Sequence, residues 1–184
     1  MKGEEPVKIL NLYFSGTGNT EKIAARIDKT LRELGHEVDS VQVAADDLDR
    51  DVLSYDMVFA GSGVYTWMPG KAMVSLLNRL REKYAGLKEI KPASPRRPGK
   101  KAVIYCSFGG GHTGANEAVP AVKFMGQLFD HLGYEIVGEW YLVGEFHGKL
   151  AYLSLSGRMG NTVGRPNEAD LEDVSERVTG ILRV

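Results

Sequence analysis

The residues best suited to chemistry sit near the start of the chain, where the apolar run Leu10-Asn11-Leu12-Tyr13-Phe14 breaks into Ser15-Gly16-Thr17-Gly18-Asn19-Thr20. An apolar strand that ends in a small, hydroxyl-rich turn and opens a helix reads as a phosphate cradle. Gly16 and Gly18 permit close backbone approach, the first helical N–H groups are free to donate, and the positive end of the helix dipole favours an anion. Ser15, Thr17, Asn19 and Thr20 add side-chain donors for the same oxygens. A nucleoside-triphosphate loop would carry Lys-Ser/Thr after a longer glycine-bounded span, and a dinucleotide fingerprint would place a third glycine three residues after its first pair. Neither pattern is met. Without a lysine the loop suits the terminal monoester phosphate of a mononucleotide, held by neutral donors. The plainer alternative is an ordinary strand-to-helix corner with Asn19 or Thr20 as N-cap.

Two later stretches have the composition to hold the rest of such a ligand. Gly61-Ser62-Gly63-Val64-Tyr65-Thr66-Trp67-Met68-Pro69 sets two large aromatics among small residues, where an exposed ring needs something to stack on. The alternative is that Trp67 and Met68 fold under the loop and plug the next helix. Ser107-Phe108-Gly109-Gly110-Gly111-His112-Thr113-Gly114-Ala115-Asn116 has three successive glycines, which let backbone N–H and C=O groups approach the edge of a heterocycle.

These stretches must be positioned by a scaffold, and its signature is plain. Apolar strand candidates at 7–14, 37–43, 57–60, 102–108 and 135–143 alternate with helical patterns at 19–34, 71–84 and 116–132, and a last helix starts near Asn167. A short acidic helix or turn is expected over 46–53. Such alternation specifies a parallel sheet covered on both faces, with ligands beyond the carboxyl ends of the strands. Asn167 and Asp170 have the spacing of a capping arrangement. Residues 144–165 form a glycine-rich stretch of roughly twenty residues, long enough for a functional cover or an extra small hairpin.

The chain has 184 residues, a net charge of −1 and a predicted pI near 6.4. That length suits a single domain spanning 1–184, and the balanced charge selects neither nucleic acid nor a membrane surface. Cys106 is the only cysteine, which leaves no intrachain disulfide and no cysteine metal cluster. No apolar run has the length of a membrane span, and a cytoplasmic, reducing setting fits. With scattered histidines, no metal site is expected.

The segment Tyr13-Phe14-Ser15-Gly16-Thr17-Gly18-Asn19-Thr20 resembles the FMN phosphate loop of the flavodoxin-like superfamily. The spacing to an aromatic second loop and a glycine-rich third loop agrees, so the resemblance spans nearly the whole chain. It implies a three-layer α/β/α sandwich with a doubly wound five-stranded parallel sheet of order 2-1-3-4-5, and FMN as cofactor. Ser15 to Thr20 would hold the phosphate. Tyr65 or Trp67 would stack on the isoalloxazine beside Gly63, Val64 and Thr66. Ser107, Phe108, Gly109, Gly110 and Gly111 would follow the ring's edge, with His112 at their end. The third loop looks closer to flavodoxin-like quinone reductases without matching them residue for residue. Gly144-Glu145-Phe146-His147-Gly148 and the stretch from Gly164 to Leu171 resemble flavodoxin-like proteins of microbes.

Function then divides three ways. The first reading is an FMN protein passing electrons between redox partners, with no obligatory catalytic acid or base. The second is an NAD(P)H-dependent FMN oxidoreductase acting on quinone-like acceptors, in which His112 donates a proton. The third is a flavodoxin-like binding module without redox activity. Simple electron-carrier flavodoxins are strongly acidic, so the neutral charge here weakens the case for docking onto a basic partner. An oligomer is left open. The run Arg96-Arg97-Pro98-Gly99-Lys100-Lys101 reads as a solvated connection rather than an anion site.

Overall fold

A computed structural model describes residues 7–44 and 50–183. The first strand, β1 (Lys8–Phe14), is apolar at successive positions because both its faces are covered, and Ile9, Leu10 and Leu12 have no exposed surface. Helix α1 (Asn19–Glu33) turns Ile23, Ala24, Ile27 and Leu31 inward at helical spacing. It gives way at Gly35, whose φ of 89° suits only glycine comfortably. Next come β2 (Glu37–Gln42), β3 (Met57–Tyr65), the two-residue β4 (Met68–Pro69) and α2 (Lys71–Gly86). They are followed by β5 (Lys101–Phe108), α3 (Val119–His131), β6 (Glu135–Val143), the short α4 (Leu153–Ser156) and α5 (Glu168–Leu182).

The long strands are all parallel and run in the order β2-β1-β3-β5-β6, with β4 paired antiparallel to β3. Leaving out β4, this is the order 2-1-3-4-5 that the resemblance implies. Alternate residues feed two cores. Ile9, Met57, Phe59, Val103 and Tyr105 pack with α1 and α5, while Leu10, Leu12, Val58, Ala60 and Ile104 pack under α2 and α3. The winding reverses between β1 and β3, and the crevice there opens at their carboxyl ends.

One polar network crosses the sheet. Asn11 is fully buried; its Nδ2 donates to Asp28 Oδ1 at 2.8 Å and to the Ala24 carbonyl, and its Oδ1 accepts from the Tyr105 hydroxyl at 2.9 Å. Tyr105 reaches Asn11 by lying across Gly61, where a Cβ would stand 2.1 Å from its ring. Glycine in this strand is therefore a matter of space.

Two elements differ from the sequence expectation. β3 runs to Tyr65 rather than stopping at Ala60, which turns part of the expected loop into a hairpin. The expected helix at 116–132 is divided into a 3-10 turn (Gly114–Glu117) and α3, which begins at Val119 because Pro120 is tolerated only in a first turn. Half of the expected turn at 46–53 lies outside the described residues; in the other half a 3-10 turn capped by Asp51 begins, over Val52–Ser54. The basic run lies at the surface as expected and is paired there: Arg96, exposed, with Asp130, Arg97 with Glu89, while Lys100 bonds the Tyr55 carbonyl. The capping box of Asn167 and Asp170 is formed.

Candidate functional site

The stretches after β1, β3 and β5 meet at the carboxyl edge of the sheet around a cavity of about 450 Å³. At the head of α1 the N-cap is Gly18, with φ 90° and no side-chain capping bond, so neither Asn19 nor Thr20 fills that role. The Gly18 N–H donates to Ser15 Oγ at 3.1 Å, and the Gly16 N–H donates to the Tyr65 hydroxyl at 2.9 Å. Thr20 and Ser107 are both buried with their hydroxyl oxygens 2.8 Å apart, which joins the first loop to the third. Asn19 Nδ2 donates to the Glu145 carbonyl at 2.9 Å, and its Oδ1 lies 3.4 Å from His147 Nε2. Thr17 and Asn19 line the cavity; Ser15, Gly16, Gly18 and Thr20 do not.

The hairpin of β3 and β4 carries the aromatics. Its two central residues, Thr66 and Trp67, have φ of 49° and 67°, the sign that a tight hairpin turn requires and that a β-branched residue resists. The strained tip holds Trp67 out at 59 % exposure on the cavity wall, so it is not folded under the loop, whereas Pro69 is buried. Gly63, Val64, Tyr65 and Thr66 line the same wall.

The glycines after β5 carry a constraint that the sequence did not suggest. A Cβ on Gly109 would stand 2.2 Å from the Phe146 ring, and one on Gly110 2.9 Å from Met159. At Gly111 the neighbour is Leu153, at 3.2 Å. These directions are filled by the segment over 144–165, which is a cover seated on the glycine loop and not a hairpin. The Phe146 N–H on Ser154 Oγ at 2.7 Å holds the segment's own shape, and the Arg158 N–H on the Gly111 carbonyl at 3.0 Å pins it to the loop. Glu117 Oε1 accepts from the N–H groups of both His112 and Thr113 at 2.6 Å and closes the loop's far end. Ser107, Phe108, Gly109, Gly110 and His112 reach the cavity, while Gly111 does not.

Sequence reasoning missed Glu117, Glu145, Phe146, Leu150 and Leu153, which line the cavity together with His147. The only signal for most of them was the length of the segment over 144–165. Cys106 plays no part: burial pushes its thiol up to about 12, so it stays protonated and inert. Among the described residues no group of His, Cys, Asp and Glu is arranged to hold a metal ion.

Residues 10–107 match the family described as Flavodoxin domain. The chain belongs to the flavodoxin family. The flavodoxin of Megasphaera elsdenii is 30% identical over 100 residues, and that of Clostridium beijerinckii 32% identical over 100 residues. Each match takes in 54% of this chain and 64% of the relative. Flavodoxin 2 from Bacillus cereus superposes with a TM-score of 0.64 at 22% identity, over 96% of this chain and 98% of that one, which shows the shared fold. FMN is the cofactor of this flavodoxin-like chain. The residues present fit it: an uncapped helix start with Ser15 and Thr17 at one end of the crevice, and Trp67, Val64 and Phe146 about a cavity of the size that holds small ligands at the other.

Proposed function

We propose that this chain, as one domain over 1–184, holds FMN in the crevice above β1, β3 and β5 and carries electrons between redox partners. The observation that supports this best is the single cavity joining Thr17 and Asn19 at the head of α1 to the exposed Trp67.

FMN, when bound, supplies one-electron and two-electron redox chemistry. Ser15, Thr17 and the N–H groups of the first turn of α1 bind its phosphate, where the helix dipole offsets the charge without a cation. Trp67 would hold the ring, together with backbone groups of Gly109 and Gly110, all of which line the cavity. Phe146, Leu150 and Leu153 exclude water from it. The bond between Thr20 and Ser107 keeps the phosphate end and the ring end in register.

The partner is a protein with an apolar contact face. Trp67, Leu150, Tyr152, Leu155 and Val163 are each at least half exposed, and all belong to the hairpin tip or to the cover. Trp67 and Leu150 line the cavity itself, and exposed large apolar side chains beside a site mark an interaction surface. Among the described residues no helix is long and apolar enough to cross a membrane, and the unpaired thiol of Cys106 suits a reducing cytoplasm.

The test is the visible spectrum of the purified protein before and after adding FMN, with unbound flavin removed, followed by a potentiometric titration. Retained flavin bands that titrate in two separate one-electron steps support the carrier. Steady NADPH oxidation with a quinone would replace the carrier with an enzyme, and no retained flavin would end both readings.

A further inference from the structure

We propose that Tyr65 is a built-in stand-in for the phosphate: its hydroxyl holds the Gly16 N–H while the site is free of FMN and gives it up when the phosphate enters. This rests on the FMN reading above and adds a residue that sets how strongly the site favours phosphorylated flavins.

The contact is specific. The Tyr65 hydroxyl accepts from the Gly16 N–H at 2.9 Å, across 49 residues of sequence, from the hairpin on β3 to the loop after β1. The surroundings are shaped for it. A Cβ on Gly16 would stand 2.6 Å from the Tyr65 hydroxyl, and one on Gly63 2.9 Å from the same oxygen. Neither glycine has a positive φ, so backbone freedom is not what these positions require. They are bare because the Tyr65 side chain occupies the space. Phe14 steadies the ring edge-on, with centroids 5.9 Å apart and planes at 67°.

The same side chain lines the cavity beside Thr17 and Asn19, with its hydroxyl oxygen on the N–H of the exposed Gly16. A phenol oxygen is a neutral acceptor, whereas a phosphate oxygen is charged, and charge-assisted bonds are roughly twice as strong as neutral ones. The phosphate therefore displaces the phenol. Tyr65 is 39 % exposed, so it can withdraw without disturbing the core. Until then it keeps the loop's N–H satisfied and the cradle formed. Displacement costs FMN part of the gain from its phosphate, and it costs riboflavin, which has none, nothing.

The experiment compares FMN, riboflavin and inorganic phosphate binding to the flavin-free protein and to Tyr65→Phe, which keeps the ring and removes the hydroxyl. The variant is expected to bind FMN and phosphate roughly three- to tenfold more tightly, as loss of one competing hydrogen bond predicts, and to raise the ratio of FMN to riboflavin affinity by the same factor. The Gly16 amide signal in a nitrogen-15 NMR spectrum should move on the substitution alone. A ratio that stays level or falls, in a wild-type protein that does bind FMN, overturns the proposal: the hydroxyl is then a bystander or a ligand of the phosphate. A wild-type protein that binds no FMN fails at the earlier step, and the cofactor reading falls with it.

Discussion

The Thr20 and Ser107 hydroxyl oxygens stand 2.8 Å apart, both buried, and bind the first turn of α1 to the end of β5. Two hydroxyls that satisfy each other in the interior are costly to separate, because the survivor keeps its desolvation penalty without a partner. Thr20→Ala and Ser107→Ala should each lower unfolding stability by about 1–3 kcal/mol. The double substitution should cost clearly less than the sum, since it removes both partners together. Urea unfolding of the four proteins measures this coupling. Strict additivity would show that the bond contributes nothing.

The hairpin tip trades stability for presentation of an aromatic. Thr66 and Trp67 both have positive φ, at a cost on the order of 1 kcal/mol or more for each residue. Thr66→Gly should raise stability by about 0.5–1 kcal/mol and leave Trp67 in place. Trp67→Gly should also stabilise the fold while weakening FMN roughly tenfold, through loss of a stacking contact of about 1 kcal/mol and its buried area. Melting temperature and flavin titration on the same samples separate the two effects. If Trp67→Gly binds FMN as tightly as the parent, Trp67 does not stack.

Asn19 ties the cover to the head of α1 through the Glu145 carbonyl. Asn19→Ala should loosen the segment over 144–165 and increase its cleavage by a protease at low enzyme ratio. FMN should dissociate faster, by roughly the factor of five to ten that one hydrogen bond is worth. An unchanged cleavage pattern would mean that the packing of Phe146, Leu153 and Met159 on the glycine loop holds the cover alone.

At alkaline pH the interior tyrosines set the limit. Burial first, with a nearby acidic side chain among the further causes, holds the phenols of Tyr84, Tyr105 and Tyr134 above the ordinary tyrosine value. The folded state therefore retains protons that the unfolded chain releases near pH 10. Above that point the unfolded state binds fewer protons, so stability is full below about pH 10 and falls as pH rises beyond it. Urea midpoints between pH 8 and 11 should decline on that schedule, about as steeply as one proton per tyrosine requires. The slope should lessen in Tyr84→Phe. A flat profile would mean that these phenols ionise alike in both states.

The sheet was readable in the sequence because strands buried on both faces carry near-continuous apolar runs, as β1 and β5 do. The full length of β3 was not readable. Gly61, Ser62 and Gly63 have turn composition, yet they sit in a strand because Tyr105 and Tyr65 lie where side chains would otherwise project. At Gly109, Gly110 and Gly111 the residue type pointed to an approaching ligand, and the space a Cβ would take is in addition filled by Phe146, Met159 and Leu153 from the cover. A glycine emptied by a ring distant in sequence looks the same, on paper, as one emptied for a bound molecule. The cover residues themselves left only a length, because a short irregular segment has no period to detect.

The fit between the cover and the glycine loop makes the two an inseparable cassette for protein engineering. Shortening 144–165 to graft a simpler mouth onto this scaffold would strip Gly109 and Gly110 of the side chains that fill their bare faces, and would leave a flexible three-glycine hinge beside the ring. Transplanting the glycine loop without the segment carries the same defect. A chimera that keeps its shape must exchange both pieces at once, and diversifying Gly109 calls for a smaller residue than phenylalanine at position 146 in the same clone.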